Sequence, residues 1–405
     1  MKVFEPMFME KQARLDKLQL AAITGLMLIG AAFVYSATMV SESAAAAIWY
    51  DQSWFRQIVW YCLGAAAGAT VCVIDYRTAS RFAYVIYWAA ILLLVAVLIP
   101  GIGATRFGAR RWIDLGFFQV QPSEFAKLAT LFVLAHFLSR PADELRHLRN
   151  FFKALGLMAL PFLLIMKEPD LGSALVFIPA GMMMLFVAGT PPKYLVRLVA
   201  VVGALGVLFL VDVLFAPPNW QISLEDYQKK RLMVYFGVPY KAQPGASQAT
   251  EYRLKQQQAD DSYNVRQALI SVGSGGFWGK GYREGTQNAL GYLPRAVAHN
   301  DFIFSVIAEE KGFIGSVVVV TLYGVVLLTG IRIAGQARDR LGKLLAVGVV
   351  TLIFSHVFIN IGMNIRLMPV TGVPLPLLSY GGSSVLSSLI AIGILQNVYM
   401  YRKSY

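Results

Sequence analysis

Residues 301–331, DFIFSVIAEEKGFIGSVVVVTLYGVVLLTGI, consist of two unlike halves. From Gly312 onward the residues are apolar for about twenty positions, the length a helix needs to cross about 30 Å of hydrocarbon. Before Gly312 stand Asp301, Glu309, Glu310 and Lys311, which are costly in lipid unless paired or facing a wet cavity. One helix through the whole stretch would be about 45 Å long, half again the hydrocarbon thickness. The acidic half is therefore expected at the membrane interface or in a protein-lined cavity. A carboxylate at Asp301 would stand one or two turns beyond the bilayer edge, where it can meet a substrate whose reacting group lies just above the membrane.

The same reading extends along the chain. Hydrophobic residues make up 57% of the 405 positions and charged residues 15%. Apolar runs near twenty long fall at about 19–40, 54–73, 81–99, 122–138, 151–166, 171–189, 194–215, 312–333, 344–365 and 382–400, predicting an all-α, polytopic membrane protein with about ten transmembrane helices. The net charge of +13 does not indicate nucleic acid, because the Lys and Arg residues cluster in short loops between apolar runs, as positive-inside sorting requires. Lys11, Arg14 and Lys17, the Arg140–Lys153 and Arg332–Lys343 groups, and Arg402 all fall on one side if the spans alternate. Both termini are then cytoplasmic. The first loop on the other side carries Glu42 and Asp51 and no base. The first apolar run is too long for the core of a cleavable signal, and no small-residue cleavage motif follows it. Cys62 and Cys72 are about 15 Å apart along one predicted helix, beyond disulfide reach, and are expected as buried small apolar residues. Neither they nor the four histidines show metal-ligand spacing.

Four outer segments break the apolar pattern. Arg106, Arg110 and Arg111 place positive charge where the sorting rule disfavours it, to bind an anionic group or to touch lipid headgroups. The chain then passes through Gln121-Pro122-Ser123-Glu124 into a span. Proline suits a first helical turn, and Glu124 and Lys127 share one face, as a structural ion pair or as a polar site open to the outer face. In Lys167–Ser173, a short turn, Asp170 is placed to cap the following helix, a task compatible with a role in a site. Residues 216–300 are too long for a passive connection. They hold ten Lys or Arg against six Asp or Glu, densest at Lys229-Lys230-Arg231. The glycine-rich run Ser271–Gly281 lacks the phosphate-loop pattern, with Ser274 and Gly281 at positions that need glycine and Ser or Thr. It reads as a flexible loop held near the membrane by Phe277 and Trp278. In Asn360–Ser384, Pro369, Pro374 and Pro376 forbid a continuous helix, predicting a re-entrant outer loop buried in protein or lining a cavity.

Taken in order, these segments resemble the SEDS family (shape, elongation, division and sporulation), membrane glycosyltransferases that include RodA and FtsW. The resemblance rests on Pro369–Ser384, on Asp301–Phe304 with Glu309, Glu310 and Gly312, on Pro122–Glu124 with Lys127, and on Pro169–Gly172. It covers nearly the whole chain, read as one integral-membrane domain over 1–405. Asn360–Asn364 followed by Met368–Gly372 looks more like RodA than FtsW. Two residues depart from the family: Glu168 stands where glutamine is common, and Arg366 where a small residue is usual.

The resemblance implies a peptidoglycan glycosyltransferase that polymerises lipid II, a disaccharide-peptide on polyprenyl pyrophosphate, at the outer face of the bacterial cytoplasmic membrane for elongation and rod shape. Asp301 would deprotonate the acceptor sugar 4-hydroxyl as it attacks the anomeric carbon of the growing chain, with inversion. Arg110, Arg111 or Lys127 would stabilise the departing lipid pyrophosphate, with a divalent cation, Mg or Mn, as an admissible helper. Glu124 and Asp170 would orient those cations or hold the acceptor, and Lys229 and Ser379 complete the substrate-binding set. The implied partners are a class B penicillin-binding protein transpeptidase and other elongation-complex proteins. A lipid II flippase would share the spans, the intramembrane charges and the broken loop. Against it stand the lack of a visible internal repeat and the gathering of polar residues at the outer ends of spans. An FtsW-like division polymerase and a scaffold for a cell-wall complex would fit the same segments.

Overall fold

The structure, a computed structural model, describes residues 15–39, 48–106, 109–116, 118–215, 226–240, 248–293 and 295–403. Lys11, Arg14, Glu42 and the side chain of Arg106 lie outside what is described. The chain runs through α1 (Lys17–Thr38), α2 (Ser53–Val73) and α3 (Ala83–Leu98), then strands β1 (Gly103–Arg106), β2 (Ala109–Asp114) and β3 (Gln119–Val120). It continues through α4 (Pro122–Leu138), α5 (Leu148–Lys167), α6 (Leu171–Val187), α7 (Pro192–Phe215), α8 (Asp226–Phe236) and α9 (Gln248–Ser274), and ends with α10 (Ile303–Gln336), α11 (Arg340–Asn364) and α12 (Gly382–Met400). A helix stands at every apolar run read from the sequence. Among the described residues α1, α5, α7, α10, α11 and α12 are long and apolar enough to cross a membrane, and α3 and α6 are shorter apolar helices. The protein is a polytopic all-α membrane protein with one addition: β1, β2 and β3 form a small antiparallel sheet between α3 and α4. The hydrogen bonding of these short strands satisfies the backbone of the Arg-rich segment.

Burial grades across the bundle. Nearly every residue of α4 is buried, as is most of α11 and α12, whereas α7 buries only Leu195, Val213 and Leu214. A helix that is apolar all round and uncovered by protein is stable only where lipid covers it. The face of α2 against α12 is Gln57, Tyr61, Gly64 and Gly68, spaced on one helical stripe. A Cβ at Gly68 would stand 2.7 Å from the Leu389 carbonyl, so small residues let the two backbones approach. Cys62 falls off that stripe and is exposed, while Cys72 is half-buried. This corrects the expected burial of Cys62.

Residues 365–381 between α11 and α12 form an irregular segment packed inside the protein, with Val373, Leu375, Leu377 and Leu378 buried. Its carbonyls are satisfied from neighbouring helices. Tyr61 and Tyr323 hydroxyls donate to Leu377 and Pro376, and Gln57 and Asn360 amides donate to Ser379 and Val373. Irregular backbone among membrane helices requires such partners. The segment starts in a Schellman cap: Arg366 and Leu367 N–H groups donate to the Met363 and Gly362 carbonyls at 3.3 and 2.7 Å. Arg366 takes the left-handed position of that cap, φ 60°, at a cost of about 1–2 kcal/mol for a residue with a Cβ.

The glycine-rich run after α9 is a tight crossing and not the flexible loop expected from composition. Gly275 lies against the Ala308 carbonyl, and Gly279 (φ 83°) against that of Glu310. Gly312 (φ 63°), at the kink inside α10, meets the backbone of Phe277 and Gly279. Phe313 N–H donates to Gly276 at 2.9 Å, and Lys280 N–H to Glu309 at 3.1 Å. Glu309 and Glu310, both buried, anchor the crossing. The Glu309 carboxylate accepts from Lys280 Nζ at 2.6 Å and Gln287 N–H at 3.0 Å, and that of Glu310 accepts from Ser36 Oγ and Arg283 N–H. Phe277 stacks on Phe313 and Trp278 stays exposed.

Candidate active site

Asp301 sits immediately before α10, its backbone fixed from three directions. Asn360 and Asn364, one turn apart on α11, both donate their amides to the Asp301 carbonyl, at 3.0 and 3.1 Å. Ser379 Oγ donates to the preceding carbonyl, that of Asn300, at 2.6 Å. Gly372, at φ 73°, lies beside the carboxylate, where a Cβ would make an ordinary contact 3.5 Å from Asp301 Oδ2. The half-buried carboxylate lines a cavity of about 650 Å³ between α8, α9 and residues 366–370. Lys230, Arg231, Lys255, Arg266 and Arg366 line it against two carboxylates, Asp260 and Asp301, while Phe302, Met368 and Val370 supply apolar wall.

Of the side chains expected around Asp301, Arg111 and Asp170 are within its electrostatic reach. Arg111, on β2, donates to the carbonyls of Glu168 and Pro169 and borders a small void with Arg231 and Thr371. Asp170 caps α6 by accepting from Ser173 N–H at 3.1 Å and also accepts from Gln121 at 3.0 Å. Gly172 permits this approach, since a Cβ there would stand 2.6 Å from the Thr371 carbonyl. Burial pushes the Asp301 carboxyl up to about 6, with Arg231 and then Arg111 pulling it down and Asp170 raising it. A carboxylate poised there is a competent base near neutral pH.

The remaining expected residues lie elsewhere. Arg110 is half-buried and is not among the cavity-lining residues. Lys229 also lies off the lining face, and its neighbours Lys230 and Arg231 occupy it. Glu124 and Lys127 are buried in the first two turns of α4 as an ion pair at 2.7 Å. Lys127 Nζ lies 3.0 Å from His356 Nε2, and Ser387 donates to Glu124 at 2.9 Å, so the pair is enclosed by α11 and α12. Ser379, expected to touch substrate, is buried, and its hydroxyl is spent on Asn300 and on Leu375 N–H. It holds the Asp301 loop and does not line the cavity.

Sequence reading missed Asn360 and Asn364 as clamps, although their spacing of four on a helix was a visible signal. It also missed the cationic wall, whose members come from three separate segments. Glu168 has both carboxyl oxygens buried without a hydrogen-bond partner. Burial, then Asp170, pushes it up to about 9 against the pull of Arg111, so it is a neutral acid at neutral pH. Among the described residues no three His, Cys, Asp or Glu side chains converge as metal ligands. The charge beside Asp301 is balanced by arginines, Arg231 and Arg111.

The fold and site define a polytopic membrane protein that carries one poised carboxylate at the wall of a cation-rich cavity. The chain belongs to the SEDS family: the cell cycle protein family of FtsW, RodA and SpoVE matches residues 16–404. It is 37% identical over 391 residues to stage V sporulation protein E of Bacillus subtilis (strain 168), covering 95% of this chain and 97% of that one. It is 34% identical over 380 residues to the peptidoglycan glycosyltransferase MrdB of Escherichia coli (strain K12), covering 94% of each. Among solved structures it resembles a chain from a peptidoglycan synthase complex that coordinates polymerization and crosslinking, with TM-score 0.74, 27% identity and coverage of 96% and 99%. It also resembles the rod shape determining protein RodA of Thermus thermophilus, with TM-score 0.65, 26% identity and coverage of 98% and 100%.

Proposed function

We propose that the chain polymerises lipid II into glycan strands at the outer face of the cytoplasmic membrane, with Asp301 as general base. Its class, peptidoglycan glycosyltransferase, is that of its full-length relatives. The observation that carries the assignment of the base is the Asp301 carboxylate, poised near neutrality at the wall of a cavity with five cationic side chains. In the reaction the acceptor 4-hydroxyl gives its proton to Asp301 while its oxygen attacks the anomeric carbon of the growing chain. The bond from that carbon to the pyrophosphate oxygen breaks, and the electron pair leaves with the lipid pyrophosphate. Arg231 and Arg111 oppose the charge on the leaving group. A single displacement inverts the anomeric centre.

A bundle that exposes α7 to lipid suits a substrate whose tail stays in the membrane. Service in cell elongation is read from the RodA-like wording of Asn360–Gly372. A class B penicillin-binding protein is the proposed partner, in keeping with the synthase complex that the fold resembles. Purified protein with its transpeptidase partner should convert labelled lipid II to glycan strands. Transfer of lipid II across proteoliposome membranes with no polymer formed would replace this reading by the flippase.

A further inference from the structure

Arg366 is a poor choice for the fold. It occupies the left-handed position of the cap that ends α11, where glycine is the usual solution because it has no Cβ. An arginine kept in a strained backbone position points to a task for the side chain. That side chain is exposed, lines the Asp301 cavity and has no hydrogen-bond or ion-pair partner among the described residues. Arg231, across the same cavity, already donates to the Val370 carbonyl. Among the described residues the five cations on the wall exceed its two carboxylates, leaving positive charge for a ligand to neutralise.

We propose that Arg366 is a substrate-binding residue, which clamps an anionic group of the lipid-linked substrate in the Asp301 cavity. A guanidinium presents paired donors that suit either a phosphate or a carboxylate. The lipid-linked substrate offers both, in its pyrophosphate and in its peptide. This inference rests on the proposed polymerase activity.

The test compares wild type, Arg366→Gly and Arg366→Lys, each with the transpeptidase partner. Polymerisation is followed with lipid II and with a lipid II analogue whose peptide carboxylates are amidated. Wild-type turnover in the same assay establishes the activity itself, so its absence counts against the polymerase reading and not against Arg366 alone. The expected result is a rise in KM of about tenfold for Arg366→Gly, the scale of one charged hydrogen bond, with kcat nearly unchanged and partial recovery in Arg366→Lys. Thermal stability should hold or improve in Arg366→Gly, since glycine relieves the backbone. An equal KM rise for both substrates assigns the clamp to pyrophosphate, and a rise confined to lipid II assigns it to the peptide carboxylate. An unchanged KM with both substrates, or a loss of stability with no KM change, overturns the proposal.

Discussion

As the proposed base, Asp301 is tuned first by its burial and then by the charges that surround it. Burial raises its carboxyl to about 6 and Arg231 is the largest opposing influence. A base must be ionised to act, so polymerisation should fall as pH drops through about 6. In Arg231→Gln the lost positive charge favours the neutral acid, and the acid limb should move upward. The profile of kcat/KM between about pH 5 and 8 measures both effects. An acid limb that stays in place would remove Arg231 from the field of Asp301. Glu168 is shifted in the same direction, again by burial first, and neither of its carboxyl oxygens has a hydrogen-bond partner. Its ordinary value of 4.5 is raised to about 9 in the folded protein. Its contribution to stability is therefore fully present below 4.5 and is lost as pH climbs through about 9. Glutamine keeps the shape without the titration. Glu168→Gln should unfold at higher temperature than wild type in mildly alkaline buffer, with the gap closing as pH approaches 4.5. A gap independent of pH would contradict the neutral acid.

At the scale of elements, the Glu124–Lys127 pair joins α4 to α11 and α12 through His356 and Ser387. Both side chains are 2% exposed, so Lys127→Met strands a buried carboxylate. The expected loss is about 3–5 kcal/mol, read by denaturant or thermal unfolding in detergent. Adding Glu124→Gln should restore part of it, because the uncompensated charge is gone. If Lys127→Met unfolds like wild type, the pair is not a structural pin. The helices were legible because an apolar run of membrane length is a local signal. The sheet of β1–β3 was not, since its short Arg-rich strands show no apolar alternation. The clamp on Asp301 was hidden for another reason: Asn360 and Asn364 lie 59 and 63 residues away in sequence. Ser379 sat in a legible motif whose task turned out to be holding a loop. The glycines after α9 suggested flexibility, and only the crossing partner Ala308–Gly312 shows that they are there for close approach.

At the scale of the molecule, a densely packed set of helices, α4, α11 and α12, supports a polar cavity at one end, while α7 is left to lipid. The cavity itself was not readable, because α8, α9 and residues 366–370 meet only in the folded chain. The central claim is that this cavity performs glycosyl transfer with Asp301 as its base. The direct measurement is glycan polymerisation from labelled lipid II by wild type and Asp301→Asn, both purified with the transpeptidase partner and matched for folding and partner binding. The account predicts polymer from wild type and a rate lower by about 10²- to 10⁴-fold in the variant. Equal polymer from the two proteins would contradict it.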